Sequence, residues 1–145
     1  MKLMQVLKKQ SGVGLIEVLI AVLVLAIGLL GLAGLQMTAL RSNQSAAERS
    51  VGVIQSYSII EAIRADVNGA KAGAFNIAKD ANPSGNSFAA SSIGFWRAQL
   101  KANLGADATG EISCDSARCE IVVIWDDSRG LAGSASQQLI TEVLL

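Results

Sequence analysis

The sequence predicts an α+β chain: one long N-terminal helix, apolar in its first half and amphipathic in its second, packed on a small antiparallel β-sheet head. Three observations carry this. Residues 13–35 form a 23-residue apolar block with one charged member, Glu17. Residues 41–66 continue in helical rhythm without a proline. Three short strand-like segments close the chain, at 111–114, 119–125 and 138–145.

The chain of 145 residues suits one modest domain beyond its apolar block. A formal net charge of zero hides an asymmetry. Lys2, Lys8 and Lys9 make the first twelve residues basic, leaving nine basic and twelve acidic residues for the rest. A mildly acidic remainder gives no electrostatic reason to expect direct nucleic-acid binding. Histidine is absent, which removes the commonest general base and the commonest metal ligand. Two cysteines, Cys114 and Cys119, cannot make a zinc site alone.

A helix over residues 13–35 would span roughly 35 Å at ~1.5 Å per residue, enough to cross a hydrocarbon core of ~30 Å. The basic leader, residues 1–12, is expected to stay in the cytoplasm, and the remainder to be exported. An ordinary signal peptide has a shorter apolar core and a small-x-small cleavage site. Neither that reading nor a plain signal anchor explains Glu17, since an acid inside a membrane segment costs up to ~2.5–3.5 kcal/mol.

The residues around Glu17 supply a reason for it. Lys8-Lys9-Gln10-Ser11-Gly12-Val13-Gly14-Leu15-Ile16-Glu17-Val18 resembles the prepilin processing signal of the type IV pilin superfamily. The resemblance implies a prepilin peptidase that cuts after Gly12, N-methylation of the new first residue, and a glutamate at the fifth mature position, matched by Glu17. Val13 stands where Phe is usual, and Gly14 where Thr is usual. Gly12 and Val13 thus form the processing site. Glu17 is the subunit-docking residue, expected to meet the Val13 amine of a neighbouring helix, because a mismatch in register would leave a charge buried alone. Gly28, Gly31 and Gly34 read either as a weak point of this helix or as close helix packing.

In the second half, Ala47, Val51 and Ile54, then Tyr57, Ile60 and Ile63, form an apolar stripe, and Glu61 faces Arg64 three residues on. The helix is expected to end near Asn68-Gly69. Residues 69–92 read as a long loop containing Pro83, the only proline. Ser92 is expected to cap a short helix over 93–104, with Phe95, Trp96 and Leu100 available for the core and Gly105 as its stop. A turn over 115–118 joins the first two strands. That hairpin would set Cys114 opposite Cys119 as a disulfide, which export favours; the other reading is two buried thiols.

Residues 61–66, the Phe95-Trp96 pair and the segment 122–129 around Trp125 resemble minor pilins of the PilV type. That implies a pilin-like fold and a role in pilus assembly, and through it in adhesion, motility or DNA uptake. The partners implied are major and minor pilins, the prepilin peptidase and the inner-membrane assembly platform. The location implied is the inner membrane with a periplasmic head over 36–145, then the pilus. Asp126-Asp127 reads as a strand-ending turn, since no acid-spaced loop accompanies it. No nucleophile-and-base set, metal site or cofactor site is legible, so the chain is not expected to be an enzyme. The alternatives are a pseudopilin of a type II secretion system and a signal-anchored periplasmic enzyme or binding protein.

Overall fold

The computed structural model describes residue 12 and residues 14–145. The leader expected over residues 1–12 lies outside the described residues except for Gly12, as does Val13. The chain forms two compact units, Met1–Thr38 and Ala39–Leu145. In the first unit, α1 begins at Leu15 and is helical throughout. Its residues are Leu, Ile, Val, Ala and Gly almost without interruption. A run of this kind satisfies its backbone internally only as a helix when no water is at hand.

The second unit holds the remainder of α1 (Leu15–Ala65), then α2 (Val67–Lys71), α3 (Phe88–Leu104), β1 (Thr109–Cys114), β2 (Arg118–Trp125) and β3 (Gln137–Leu144). α1 buries Gly52, Ser56, Ile59, Ile60 and Ile63. The expected stripe is therefore rotated. Ile60 and Ile63 are in the core, but Ile54 and Tyr57 are exposed. Gly52 and Ser56 occupy the contact face instead, because the helix passes close to the sheet there. A Cβ on Gly52 would sit 3.4 Å from Leu139 Cδ2 and 3.6 Å from the Trp125 ring. Glu61 and Arg64 pair at 2.9 Å on the open side.

The helix ends earlier than Asn68-Gly69. Asp66 leaves helical geometry and its carboxylate accepts the Gly69 amide at 2.9 Å, capping α2. An acid with helix on both sides competes for the backbone, and here it splits one expected helix into two. α3 also starts earlier than expected. Ser87, not Ser92, is the cap, accepting the Ala90 amide at 3.1 Å. The Ala and Ser residues at 89–92 resemble loop composition but are tolerated in a helix, and Ala89 is buried. Ala89, Ile93, Trp96, Leu100 and Leu104 line the buried face. Phe95 falls off that face and is 66% exposed, contrary to its expected core position. α3 stops at Gly105, whose φ of 114° suits only glycine.

The sheet is antiparallel in the order β1-β2-β3. Each strand begins one to two residues before the expected segment. The central strand sends Cys119, Ile121, Val123 and Trp125 inward. Ile77 bridges to Ile112 on the outer edge of β1. α3 crosses β1 at Gly110, where any side chain would overlap the Trp96 indole. Trp96 in turn donates its Nε1–H to the Gln55 carbonyl on α1 at 2.9 Å. Both tryptophans are thus core residues joining helices to sheet, each about 1% exposed.

Candidate functional site

Three features of the first unit bear on function. The Gly14 carbonyl accepts the amides of Glu17 at 2.9 Å and Val18 at 3.3 Å, so the helix is under way immediately after the processing motif. Glu17 lies in the first turn, where exposed amides and the helix dipole favour a negative side chain. The apolar window has a mean hydropathy of 2.9, and none of it is buried within the chain. The large apolar residues from Leu15 to Leu40 are all more than half exposed. That much uncovered hydrocarbon is incompatible with water as its final surroundings. Its length suits a bilayer or a bundle of like helices.

Gly28, Gly31 and Gly34 interrupt nothing. The helix is continuous through all three, and a Cβ on any of them would meet no neighbour within 4 Å. Together they leave a strip where another backbone can approach closely. Thr38 hydroxyl donates to the Gly34 carbonyl at 3.0 Å, a common way for a threonine to lie in an apolar helix.

In the second unit Cys114 and Cys119 are directly opposite each other in the β1–β2 register and are disulfide-bonded. Asp115 closes the same turn by accepting the amides of Ala117 and Arg118 at 2.7 and 2.8 Å. Those two amides hold its carboxyl below the usual carboxylate range, and Arg118 adds to the effect. Asn76 clasps the end of β1 from the other side. Its amide donates to the Cys114 carbonyl at 3.3 Å and its Oδ1 accepts the Cys114 amide at 2.6 Å.

Asp126 and Asp127 do end β2 in a turn, but they differ in role. Asp126 is exposed and accepts the Ser128 amide at 2.8 Å, which holds its carboxyl below the usual range. Asp127 is 3% exposed and accepts the Ser45 hydroxyl of α1. Its backbone also exchanges bonds with Ser134 and Gly130 at 2.9 Å each, which ties down the whole loop before β3.

Sequence reasoning missed Arg97. It sits on the buried side of α3 beside Trp96. Its guanidinium donates to the carbonyls of Gly110, Ala78 and Ala81, so it pins the 78–83 loop to β1. Burial lowers its pKa, and Asp80 and Glu111 oppose that. The available signal was its place four residues after Ile93 on an otherwise apolar face.

Comparison with known families matches residues 7–33 to the prokaryotic N-terminal methylation motif. The match contains Gly12, Glu17 and most of the apolar block, and it stops before the head. Comparison with curated proteins and with solved structures returns no match.

Proposed function

We propose that the chain is a pilin-like subunit, cut after Gly12 by a prepilin peptidase and assembled through its apolar helix into a filament. More narrowly, we read it as a minor pilin of a type IV pilus, made as a single-pass inner-membrane protein with residues 36–145 in the periplasm. The observation that carries this is the methylation motif at residues 7–33 leading directly into a helix whose apolar side chains are unpartnered. The narrower reading is supported by the resemblance of the Trp125 strand and its polar turn to minor pilins. A pseudopilin of a secretion system shares the motif and the helix, so the head is what separates the two. A structural role, not catalysis, follows from the same reading, with other pilins and the assembly platform as partners.

The physical logic is a sequence of compartments. The apolar helix is at home in lipid, and Glu17 near its start can reach the headgroup region. Cleavage creates a free amine at Val13. Inside a helix bundle that amine and a carboxylate four residues on from it satisfy each other between subunits. The test is intact-mass measurement on membrane-extracted protein from cells with and without the peptidase. The expected product lacks the first twelve residues only when the peptidase is present, and Gly12→Val abolishes it. A chain still beginning at Met1, or beginning near Gln36, removes the reading.

A further inference from the structure

Arginines in the second unit fall into two groups. Arg64 pairs with Glu61, Arg118 reaches Asp115 and Glu142, and Arg97 is held by carbonyls. Among the described residues, no carboxylate lies within ion-pair distance of Arg41, Arg49 or Arg129. Two of these three share one site. Arg41 and Gln44 on α1, with Ser128, Arg129 and Gly130 from the loop after β2, line a recess of about 380 Å³.

The recess is built by the fold. The Ser45–Asp127 bond holds the loop against α1 beside it, so the backbones carrying Arg41 and Arg129 are fixed relative to each other. The acids nearby stop short of ion pairs with these arginines. Asp126 takes the Ser128 amide at 2.8 Å and only its longer-range attraction reaches Arg129, and Glu48 Oε1 takes the Gln44 side-chain amide at 3.1 Å. Two like charges facing one recess favour an anion between them. Guanidinium groups match phosphate oxygens in a fork geometry. Arg41 is also the first cation after the apolar block, six residues beyond Leu35. Cations just outside an apolar span belong at headgroup level.

We infer that this recess binds the phosphate of an anionic phospholipid headgroup on the side of the bilayer that carries the head, an inference that rests on residues 13–35 being inserted in a membrane. A phosphodiester offers two unesterified oxygens, one for each arginine. A zwitterionic lipid offers the same phosphate, but its ammonium group is repelled by the second arginine. The contact would steady the head against the membrane before assembly, and extraction into a filament would have to break it.

The full chain in a neutral detergent is mixed with phosphatidylglycerol, with phosphatidylcholine of the same acyl chains, or with inorganic phosphate, and adducts are counted by native mass spectrometry at low salt. The wild type should retain phosphatidylglycerol several-fold over phosphatidylcholine. R41Q/R129Q should lower that ratio several-fold, and R64Q/K101Q, which removes the same charge elsewhere, should leave it unchanged. Equal ratios in all three proteins overturn the inference, as does an equal fall in both double variants. Phosphate adducts without lipid preference also overturn it, and so does an R41Q/R129Q effect confined to incorporation into pili, which would assign the recess to an acidic neighbouring subunit. Alkaline carbonate extraction of membranes separates the two readings. A chain released by carbonate removes the membrane reading itself, whereas a resistant chain with no lipid preference removes only the recess.

Discussion

The Ser45 hydroxyl donates to Asp127 Oδ2 at 2.5 Å, joining positions 82 residues apart. One end is on α1 and the other begins the loop that leads to β3. Asp127 is almost fully buried, so removing its partner leaves a carboxylate oxygen with a poor substitute. Ser45→Ala should cost about 1–3 kcal/mol. Asp127→Ala should cost a similar amount, and the double variant less than the sum of the two. Urea unfolding followed by tryptophan fluorescence reads the stability. Hydrogen exchange should speed up in residues 128–134 more than in β2. Strict additivity would mean the bond contributes nothing of its own.

Arg97→Met keeps the unbranched apolar stem of the side chain and removes every donor. The carbonyls of Ala78 and Ala81 are near water and recover partners, whereas Gly110 is buried and does not. The expected loss is about 1.5–3 kcal/mol. Arg97→Lys keeps the charge but not the fork, so it should restore only part of the loss. Protease cleavage within 78–83 checks the local effect. A variant as resistant as the wild type would show that the loop is held by Ile77 and not by Arg97.

Much of this fold is legible in the sequence, and the misses share a cause. The apolar block, Trp96, Trp125 and the hairpin around Cys114 and Cys119 follow from composition and local spacing. Ser87 as a cap and Asp66 as a break were hidden because small polar residues suit caps, turns and helix surfaces alike. The rotated stripe on α1 was hidden because Gly52 carries no hydrophobic signal. Its value lies in letting Trp125 and Leu139 come close. Arg97 carries no signal beyond its place on an apolar face and Asp127 reads only as part of a strand-ending turn, since their partners are carbonyls and a hydroxyl fixed only by tertiary structure. For the processing motif the situation is reversed. Gly12 and Glu17 are recognisable in sequence, and the chain by itself supplies no partner for them among its described residues.

The turn at Asp115 should be sensitive to acid. The amides of Ala117 and Arg118 lower its carboxyl pKa in the folded state. A carboxylate depressed in this way contributes stability that is present above its unfolded value, ordinarily ~3.9, and is lost as pH falls through the folded value. Exchange of the Ala117 and Arg118 amides, followed by NMR, should therefore rise below about pH 4 relative to amides within β2. In Asp115→Asn the extra rise should disappear. If wild type and variant respond to acid identically, the carboxylate is not what holds the turn.

Thiol alkylation of freshly isolated protein without reduction should label neither Cys114 nor Cys119, and reduction should expose both. The ring is small, so its loss should lower stability by less than ~3 kcal/mol and loosen the hairpin before the core. Cys119 faces the core and is fully buried, so Cys119→Ser, which leaves a hydroxyl there, should be worse than Cys114→Ser. Complete labelling of both in the exported protein would mean the bond is not made in cells.

Glu17→Ala should leave membrane insertion and cleavage largely intact while weakening entry into the filament. Insertion depends on the apolar window, and removing an acid from it makes insertion easier. Cleavage depends chiefly on Gly12 and its immediate neighbours. Docking, in the function proposed above, is different, because it would carry a new Val13 amine into a bundle of helices. Within one chain Glu17 is exposed in the first turn of α1, free to meet a neighbour. Without it an amine enters the bundle unpaired, at roughly 3–5 kcal/mol if fully buried and less where water reaches it. Glu17→Gln separates charge from size: a neutral amide of the same length should dock nearly as poorly as alanine. Filaments sheared from cells making each variant are compared for subunit content, with cleavage checked by intact mass. Recovery of both variants at wild-type levels would show that Glu17 does not direct docking and would leave its cost within an apolar segment without a compensating role.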